Sequence, residues 1–167
     1  FITRGLGRSY GDSSLADNVI SLKNYKKFLN FNKSEGIIEC SSNYSLADLI
    51  KIILKRGWFF NVTPGSKFVT IGGAIASDVH GMNHHLDGSF SDYVISFKII
   101  TAEGKLYNCS KDENFQLFQA TCGGMGLTGI IVSAKIQLLK VKSQFVDTQI
   151  VKTKNLNETI VKLKELK

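Results

Sequence analysis

Residues 68–90 constrain this chain more than any other stretch, because they join an apolar run to a glycine pair and a histidine cluster. Gly72 and Gly73 interrupt the apolar run, and small residues that include Ala76 and Ser77 follow them. A glycine has no Cβ and adopts positive φ at little cost. The pattern therefore predicts a thin wall with accessible backbone amides, suited to a bulky, phosphate-bearing ligand. A buried strand that ends in a glycine-rich turn with histidines at its rim fits these residues equally well.

A second glycine cluster lies near the start of the chain, where residues 4–12 read RGLGRSYGD. Consecutive amides in a glycine-rich turn form a concavity that binds anions, and Arg4 and Arg8 add charged donors for a phosphate. The segment is not a P-loop, since no Gly-Lys-Ser/Thr follows, and it lacks the acidic ribose partner of the dinucleotide-binding fingerprint. The alternative is a surface turn with solvated arginines. A third cluster, TCGGMGLTGII at residues 121–131, leads into a predicted strand and is weak evidence on its own.

Composition excludes several classes of protein. A hydrophobic content of 43% with 21% charged residues is typical of a globular chain, and 167 residues suffice for one domain or two small lobes. The net charge of +7 comes largely from lysines mixed with apolar residues in the last third, not from arginines interleaved with aromatics, so nucleic acid is not the expected partner. Three cysteines without CxxC spacing predict neither a disulfide framework nor a zinc site, and indicate a reducing compartment.

The two ends of the chain carry their own expectations. No apolar stretch has the length of a membrane span, and no signal-peptide pattern opens the sequence. Phe1-Ile2-Thr3 is typical of the end of a buried strand, which predicts that the sequence is a piece of a longer protein.

Hydrophobic periodicity and turn residues predict a mixture of strands and helices. Ser45 is the expected N-cap of the first helix, Asp48 its N3 residue and Gly57 its C-terminal glycine. In the second predicted helix, Phe115 and Phe118 are expected to face inward. The order lacks regular βαβ repeats, so the sequence predicts an α+β fold. The predicted strands are residues 19–22, 36–40, 93–100, 104–108 and 130–139, and the predicted helices are residues 46–55, 112–120 and 155–167.

Three segments together carry a resemblance: RGLGRSYGD at 4–12, PGSKFVTIGGAIASDVHGMNHH at 64–85 and ATCGGMGLTGII at 120–131. In order and spacing they resemble the vanillyl-alcohol-oxidase superfamily, whose members share a PCMH-type FAD-binding domain. Within it they are most similar to the decaprenylphosphoryl-ribose oxidase group, the flavin subunits of ribose-to-arabinose 2′-epimerases. The resemblance implies two α+β lobes around an extended FAD, with the first lobe incomplete here. Residues 1–140 would be the FAD-binding domain, and residues 141–167 a connecting segment or the start of the substrate-capping domain.

The resemblance also implies roles for individual residues. The loop at residues 4–12 would wrap the diphosphate, and His80 and Tyr10 would be the catalytic residues beside the flavin and the substrate. The cofactor-binding set it implies is Arg4, Gly5, Leu6, Gly7, Arg8, Ser9, Tyr10, Gly11, Asp12, Gly65, Ser66, Thr70, Ile71, Gly72, Gly73, Ala76, Ser77, His80, Gly81, Gly126, Gly129, Ile130 and Ile131.

Two positions shape the expected chemistry. Arg8 stands where several relatives carry the histidine that links flavin covalently, and a guanidinium cannot serve as that nucleophile, so the FAD is expected to be non-covalent. Met82 stands where arabinose-pathway enzymes often have a lysine.

His80 and His84 are four residues apart, but Gly81 and Asn83 disfavour a helix and no third ligand is near, so no metal site is expected.

The expected function is oxidation of a secondary alcohol of a sugar-like substrate by hydride transfer to FAD, as in the oxidase subunit of a polyprenylphosphoryl-ribose 2′-epimerase. An alditol or aldonolactone oxidase of the same superfamily and a non-catalytic FAD-binding-like module are the alternatives. The expected partners are a small or lipid-linked sugar substrate and an NAD-dependent reductase. The expected location is the cytoplasm, at the inner face of the membrane if a lipid-linked substrate holds the protein there.

Overall fold

A computed structural model describes residues 1–166. The α+β prediction is confirmed, because strands and helices alternate irregularly along the chain. The strands are β1 (Ile2–Arg4), β2 (Val19–Ser21), β3 (Leu29–Asn32), β4 (Ile37–Ser41), β5 (Trp58–Phe59), β6 (Val94–Ile100), β7 (Leu106–Ser110), β8 (Ile130–Gln137) and β9 (Leu139–Lys140). The helices are α1 (Leu46–Ile53), α2 (Ile71–Ala76), α3 (His84–Asp87), α4 (Phe115–Thr121) and α5 (Leu156–Glu165). Short 3₁₀ turns occupy Tyr10–Asp12, Leu54–Arg56 and Phe90–Tyr93.

The chain forms one large sheet and two small ones. The large sheet has the order β3-β4-β8-β6-β7, and each neighbouring pair is antiparallel. β1 and β2 form a separate parallel pair in which Ile2 lies opposite Val19, and β5 pairs with β9.

The hydrophobic core lies where α1, α2 and α4 cover the large sheet. Strand β8 buries Ile131, Ala134 and Ile136, and a shift in its pairing with β6 between Ile131 and Ser133 interrupts its alternation. Phe97 on β6 stacks on Phe118 of α4, with ring centroids 5.1 Å apart. Burying a side chain of this size stabilises the fold by about 2–3 kcal/mol.

Helix α1 forms as the sequence predicts. Ser45 Oγ accepts the Asp48 N–H at 3.1 Å, and the Asp48 carboxylate accepts the Ser45 N–H at 3.2 Å, which completes a capping box. Leu46, Leu49 and Ile53 are fully buried. The helix ends through a 3₁₀ turn at Gly57, which has φ +81° as a C-terminal glycine requires.

The central segment folds differently from both sequence interpretations, because Gly72 and Gly73 lie inside a helix. Thr70 is the N-cap of α2, and its Oγ1 accepts the Gly73 N–H at 3.1 Å. Neither glycine of the pair has positive φ. Buried Ile71 and Ile75 hold the helix against the sheet. The glycines are therefore needed for their small size, not for an unusual backbone conformation.

Three predicted elements need correction. The polar connection before β4 contains an additional strand, β3, whose Phe31 and Leu29 alternate with exposed asparagines. Phe115 does not face inward as predicted: it is 47% exposed at the start of α4, whereas Phe118 is buried. Helix α5 begins one residue later than predicted, with Asn155 as its N-cap, and it buries none of its residues; the last predicted residue, Lys167, lies outside the described residues.

Candidate functional site

A cavity of about 380 Å³ is lined by the loop after β1 and by α2, among other segments. Five separate stretches of the chain contribute to its wall, so only the folded chain assembles it. The predicted cofactor residues on this wall are Gly5, Leu6, Gly7, Arg8, Ser9, Tyr10, Gly65, Ser66, Thr70, Gly72, Gly73, Ala76, Ser77, Gly126, Gly129 and Ile131. The predicted residues that are not part of its lining are Arg4, Gly11, Asp12, Ile71, His80, Gly81 and Ile130. The structure thus brings residues from all three glycine clusters together, and their individual roles remain predictions.

The loop after β1 presents unpaired backbone amides. Among residues 1–166, the N–H groups of residues 5–9 have no hydrogen-bond acceptor. Gly7 has φ +62°, and the Arg4 guanidinium lies directly beneath it. Adjacent free amides of this kind form an anion-binding concavity. The loop therefore has the donors that a diphosphate requires.

The two arginines of this loop differ in position. Arg4 Nη1 donates to both the carbonyl oxygen and the Oγ of Ser14 at 3.3 Å, so its guanidinium ties the loop to the following turn. Arg8 is exposed. Among the described residues that line the cavity, it is the one with a charged side chain. Arg8 is thus placed to meet an anionic group, and Arg4 holds the loop in shape.

The amides at the start of α2 are not accessible, contrary to the sequence prediction. The Ile71 N–H donates to the Tyr44 carbonyl at 2.9 Å, and the Gly72 N–H donates to the Ser42 carbonyl at 2.8 Å. The Gly73 N–H is taken by Thr70, as described above. Gly73 itself is exposed on the cavity side, and a Cβ there would meet only Thr70 Oγ1 within 4 Å. This segment contributes a wall of small residues, while the amides without an acceptor belong to the loop after β1.

Two polar residues that sequence reasoning missed lie deep in the cavity wall. Ser42 and Asn43 follow β4 directly, and each is at least 97% buried. Ser42 Oγ and Asn43 Oδ1 have no hydrogen-bond partner in the described chain. The sequence signal was the pair of consecutive polar residues between a buried strand and the Ser45 cap. The other missed lining residues are Thr3, Ser13, Ser14, Leu22, Pro64, Val69, Val79 and Met125.

His80 lies outside the cavity lining, on an exposed loop stabilised by Asp78. The Asp78 carboxylate accepts hydrogen bonds from the Ser91 N–H and from Ser89 Oγ, each at 2.9 Å. His80 pairs with Ser89 in an isolated β-bridge, and its ring centroid is 5.1 Å from that of His84. Within residues 1–166, no three His, Cys, Asp or Glu side chains are grouped as metal ligands. The imidazole of His80 is open to a molecule approaching from outside.

Tyr10 is 99% exposed at the edge of the cavity, so its hydroxyl is free to move.

Cys122 is not an activated nucleophile, because burial, reinforced by the charge of Asp78, raises the pKa of its thiol to about 12. The reactive groups near the cavity are thus exposed hydroxyl and imidazole side chains.

A family model described as "FAD binding domain" matches residues 1–110 of this chain. The chain belongs to this FAD-binding family. The predicted cofactor, FAD, is thereby confirmed. The structure fits it, since the free loop amides suit the diphosphate and the small-residue wall suits a flat ring system. Ser42 Oγ and Asn43 Oδ1, which have no hydrogen-bond partner in the described chain, suit the uncharged polar groups of FAD.

The relatives extend well beyond this chain. Decaprenylphosphoryl-beta-D-ribose oxidase of Mycolicibacterium smegmatis is 37% identical over 162 residues, which is 95% of this chain and 35% of that protein. D-lactate dehydrogenase of Anaerostipes hadrus is 25% identical over 85% of this chain and 31% of that protein. The chain therefore spans about a third of the length of these curated relatives.

The fold is also found in a solved structure, BBE-like 1 of Physcomitrella patens. The two superpose with a TM-score of 0.73 at 21% sequence identity, over 83% of this chain and 31% of the other. This likeness confirms the predicted PCMH-type fold. Among the described residues, no helix combines the length and apolarity needed to cross a membrane.

Proposed function

We propose that this chain is the FAD-binding part of an oxidoreductase that oxidises a secondary alcohol of a sugar-like substrate, as the oxidase subunit of a polyprenylphosphoryl-ribose 2′-epimerase. The observation that carries the proposal is the 37% identity across 95% of the chain to a decaprenylphosphoryl-ribose oxidase. The free amides at residues 5–9 and the small-residue wall at α2 support it, because they suit the cofactor that this reaction needs.

When bound, FAD supplies the hydride acceptor. The chain's own residues bind and orient it: the loop amides hold the diphosphate, and Arg8 offsets part of its charge. His80 is the proposed base, since its imidazole is exposed and an imidazole nitrogen can accept the proton of a substrate hydroxyl. Tyr10 is the second proposed catalytic residue, donating a hydrogen bond from the edge of the cavity.

Oxidation of the alcohol carbon yields a ketone. An epimerase must reduce that ketone from the other face, so an NAD-dependent reductase is the proposed partner. A polyprenyl-linked substrate would place the protein at the cytoplasmic face of a membrane.

A second candidate is an oxidase of free alditols or aldonolactones. Met82 favours it, because a 97% exposed thioether on the His80 loop replaces a cation that would pair with a substrate phosphate. The D-lactate dehydrogenase relative shows that similar domains also occur in enzymes for small hydroxy acids.

The test is anaerobic bleaching of the flavin absorbance in the full-length protein. Bleaching by a polyprenylphosphoryl pentose, and not by free alditols, aldonolactones or D-lactate, supports the epimerase subunit. Bleaching only by a free alditol or aldonolactone supports the second candidate. A flavin that none of these compounds reduces would contradict both and support a non-catalytic binding module.

A further inference from the structure

Ser42 Oγ and Asn43 Oδ1 are the two cavity-wall side-chain oxygens that are buried without a partner in the described chain. Ser42 is 1% exposed and Asn43 is 3% exposed, so bulk water does not reach them freely. Polar atoms at this depth are almost always hydrogen-bonded, and an unpaired one destabilises the fold. Both residues line a cavity that belongs to an FAD-binding domain.

The orientation of the Asn43 amide is fixed. Its Nδ2 donates to the Lys23 carbonyl oxygen at 2.9 Å. Turning the amide over would place two carbonyl oxygens against each other, so Oδ1 remains as the free group. Asn43 therefore offers the cavity an acceptor. An acceptor suits a hydroxyl or an amine and repels a phosphate oxygen.

The backbone of Ser42 is held on both sides. Its N–H donates to the Val132 carbonyl on β8 at 3.0 Å, and its carbonyl accepts the Gly72 N–H. Its hydroxyl is the remaining group, able both to donate and to accept. Ser42 and Asn43 thus form a rigid pair whose free oxygens differ from the loop amides, which only donate.

We propose that Ser42 and Asn43 form a subsite for the uncharged polar part of FAD, accepting hydrogen bonds from its sugar hydroxyls or its amine groups. The loop amides at residues 5–9 bind the diphosphate. The charged part of FAD and its uncharged polar part are therefore bound by different walls of the cavity. The subsite acts in cofactor binding and does not depend on which substrate the enzyme oxidises.

The experiment compares two neighbouring buried serines in the deflavinated full-length protein. Ser42→Ala removes the partnerless hydroxyl. Ser41→Ala is the matched control, because Ser41 Oγ already accepts the N–H groups of Lys27 and Phe28 at 3.0 and 3.2 Å. FAD affinity is measured by quenching of flavin fluorescence, and apoprotein stability by thermal unfolding. Ser42→Ala should weaken FAD binding about fivefold, the effect of one net hydrogen bond, without lowering the apoprotein Tm. Ser41→Ala should lower the Tm and leave the affinity unchanged.

A second variant and two ligand fragments complete the test. Asn43→Leu should weaken FAD binding and also lower the Tm, because the Lys23 carbonyl loses its donor. Titration of Ser42→Ala with ADP and with FMN assigns the subsite to the half of FAD whose binding weakens. Unchanged FAD affinity in both Ser42→Ala and Asn43→Leu would show that the two oxygens bind water only. The proposal would also be overturned if Ser42→Ala weakened the binding of FAD but of neither ADP nor FMN. It would equally be overturned if Ser42→Ala lowered the apoprotein Tm as much as Ser41→Ala does.

Discussion

The backbone N–H of Gly72 donates to the carbonyl oxygen of Ser42 at 2.8 Å, and a Cβ on Gly72 would lie only 3.1 Å from the Cβ of Ser42. Helix α2 therefore packs directly on the turn after β4, and the glycine makes that approach possible. Because Ser42 is held by β8 as well, it has little freedom to move away.

This contact predicts that Gly72→Val destabilises the fold. The added side chain overpacks the junction, and the expected loss in the free energy of unfolding is about 1–3 kcal/mol, measured by urea denaturation of the apoprotein. Gly65→Ala is the matched control, because nothing lies within 4 Å of a Cβ at that position and the substitution should leave stability nearly unchanged. Equal stability of Gly72→Val and wild type would mean that α2 does not pack on Ser42 this closely.

Acid precipitation of the holoprotein is expected to release all of its flavin. Arg8 occupies the position at which related enzymes carry a linking histidine, and its guanidinium stays protonated in proteins. The measurement is the flavin absorbance of the supernatant and of the washed pellet. Flavin retained in the pellet would show a covalent link, and histidine substitutions would then locate it.

The capping box of α1 predicts a pH dependence of stability. Burial opposes ionisation of Asp48, but hydrogen bonds from Lys26 and Ser45 outweigh it and lower the pKa of the carboxyl below 3.8. A folded-state pKa below the unfolded value stabilises the protein above the unfolded pKa, and that stability is lost as pH falls through the folded pKa. The Lys26–Asp48 pair is about 40% exposed, so solvent screening keeps its contribution well under about 1 kcal/mol.

Asp48→Asn tests this dependence by urea denaturation at several pH values. The variant should be less stable than wild type at pH 7, and the difference should shrink as pH falls below 3.8. Lys162→Met is a control for an exposed ion pair on α5, for which no comparable loss is expected. A constant difference at all pH values would show that charge is not the cause.

The sequence predicts features that depend on local chemistry. Ser45, Asp48 and Gly57 delimit α1 correctly because capping and left-handed glycine conformations are encoded within a few residues. The resemblance of residues 4–12, 64–85 and 120–131 to a known family points correctly to an FAD-binding domain, because these motifs are long and lie in the family's order and spacing.

Features that depend on distant contacts were missed or misread. Strand β3 forms because Leu29 and Phe31 pair with β4, although their neighbours are polar. The sequence predicts accessible amides at Gly72 and Gly73, whereas the Gly72 N–H is bonded to Ser42, about 30 residues earlier in the chain. The sequence marks Asn43 only as a polar residue between a buried strand and the Ser45 cap, since which of its amide groups is free depends on the bond to Lys23.

His80→Ala is expected to separate cofactor binding from turnover. The side chain lies outside the cavity lining, so the variant should keep its full complement of FAD. If His80 is the base, flavin reduction by substrate should slow by about 10²–10⁴-fold. Stopped-flow reduction measures the rate, with His85→Ala, an exposed histidine five residues further along the chain, as the control. Wild-type reduction rates in His80→Ala would exclude it as the base.

Gly73→Val tests the central claim that the wall formed by α2 lies against FAD. Gly73 is helical and open on the cavity side, so a valine there should keep the fold while its side chain occupies space that the cofactor needs. Steric loss of about 1.4 kcal/mol already weakens binding about tenfold. The measurement is the ratio of flavin to protein in the purified full-length variant, with the apoprotein Tm as the check on folding. The account predicts a folded protein with little or no FAD. A folded Gly73→Val protein with a full complement of flavin would contradict it.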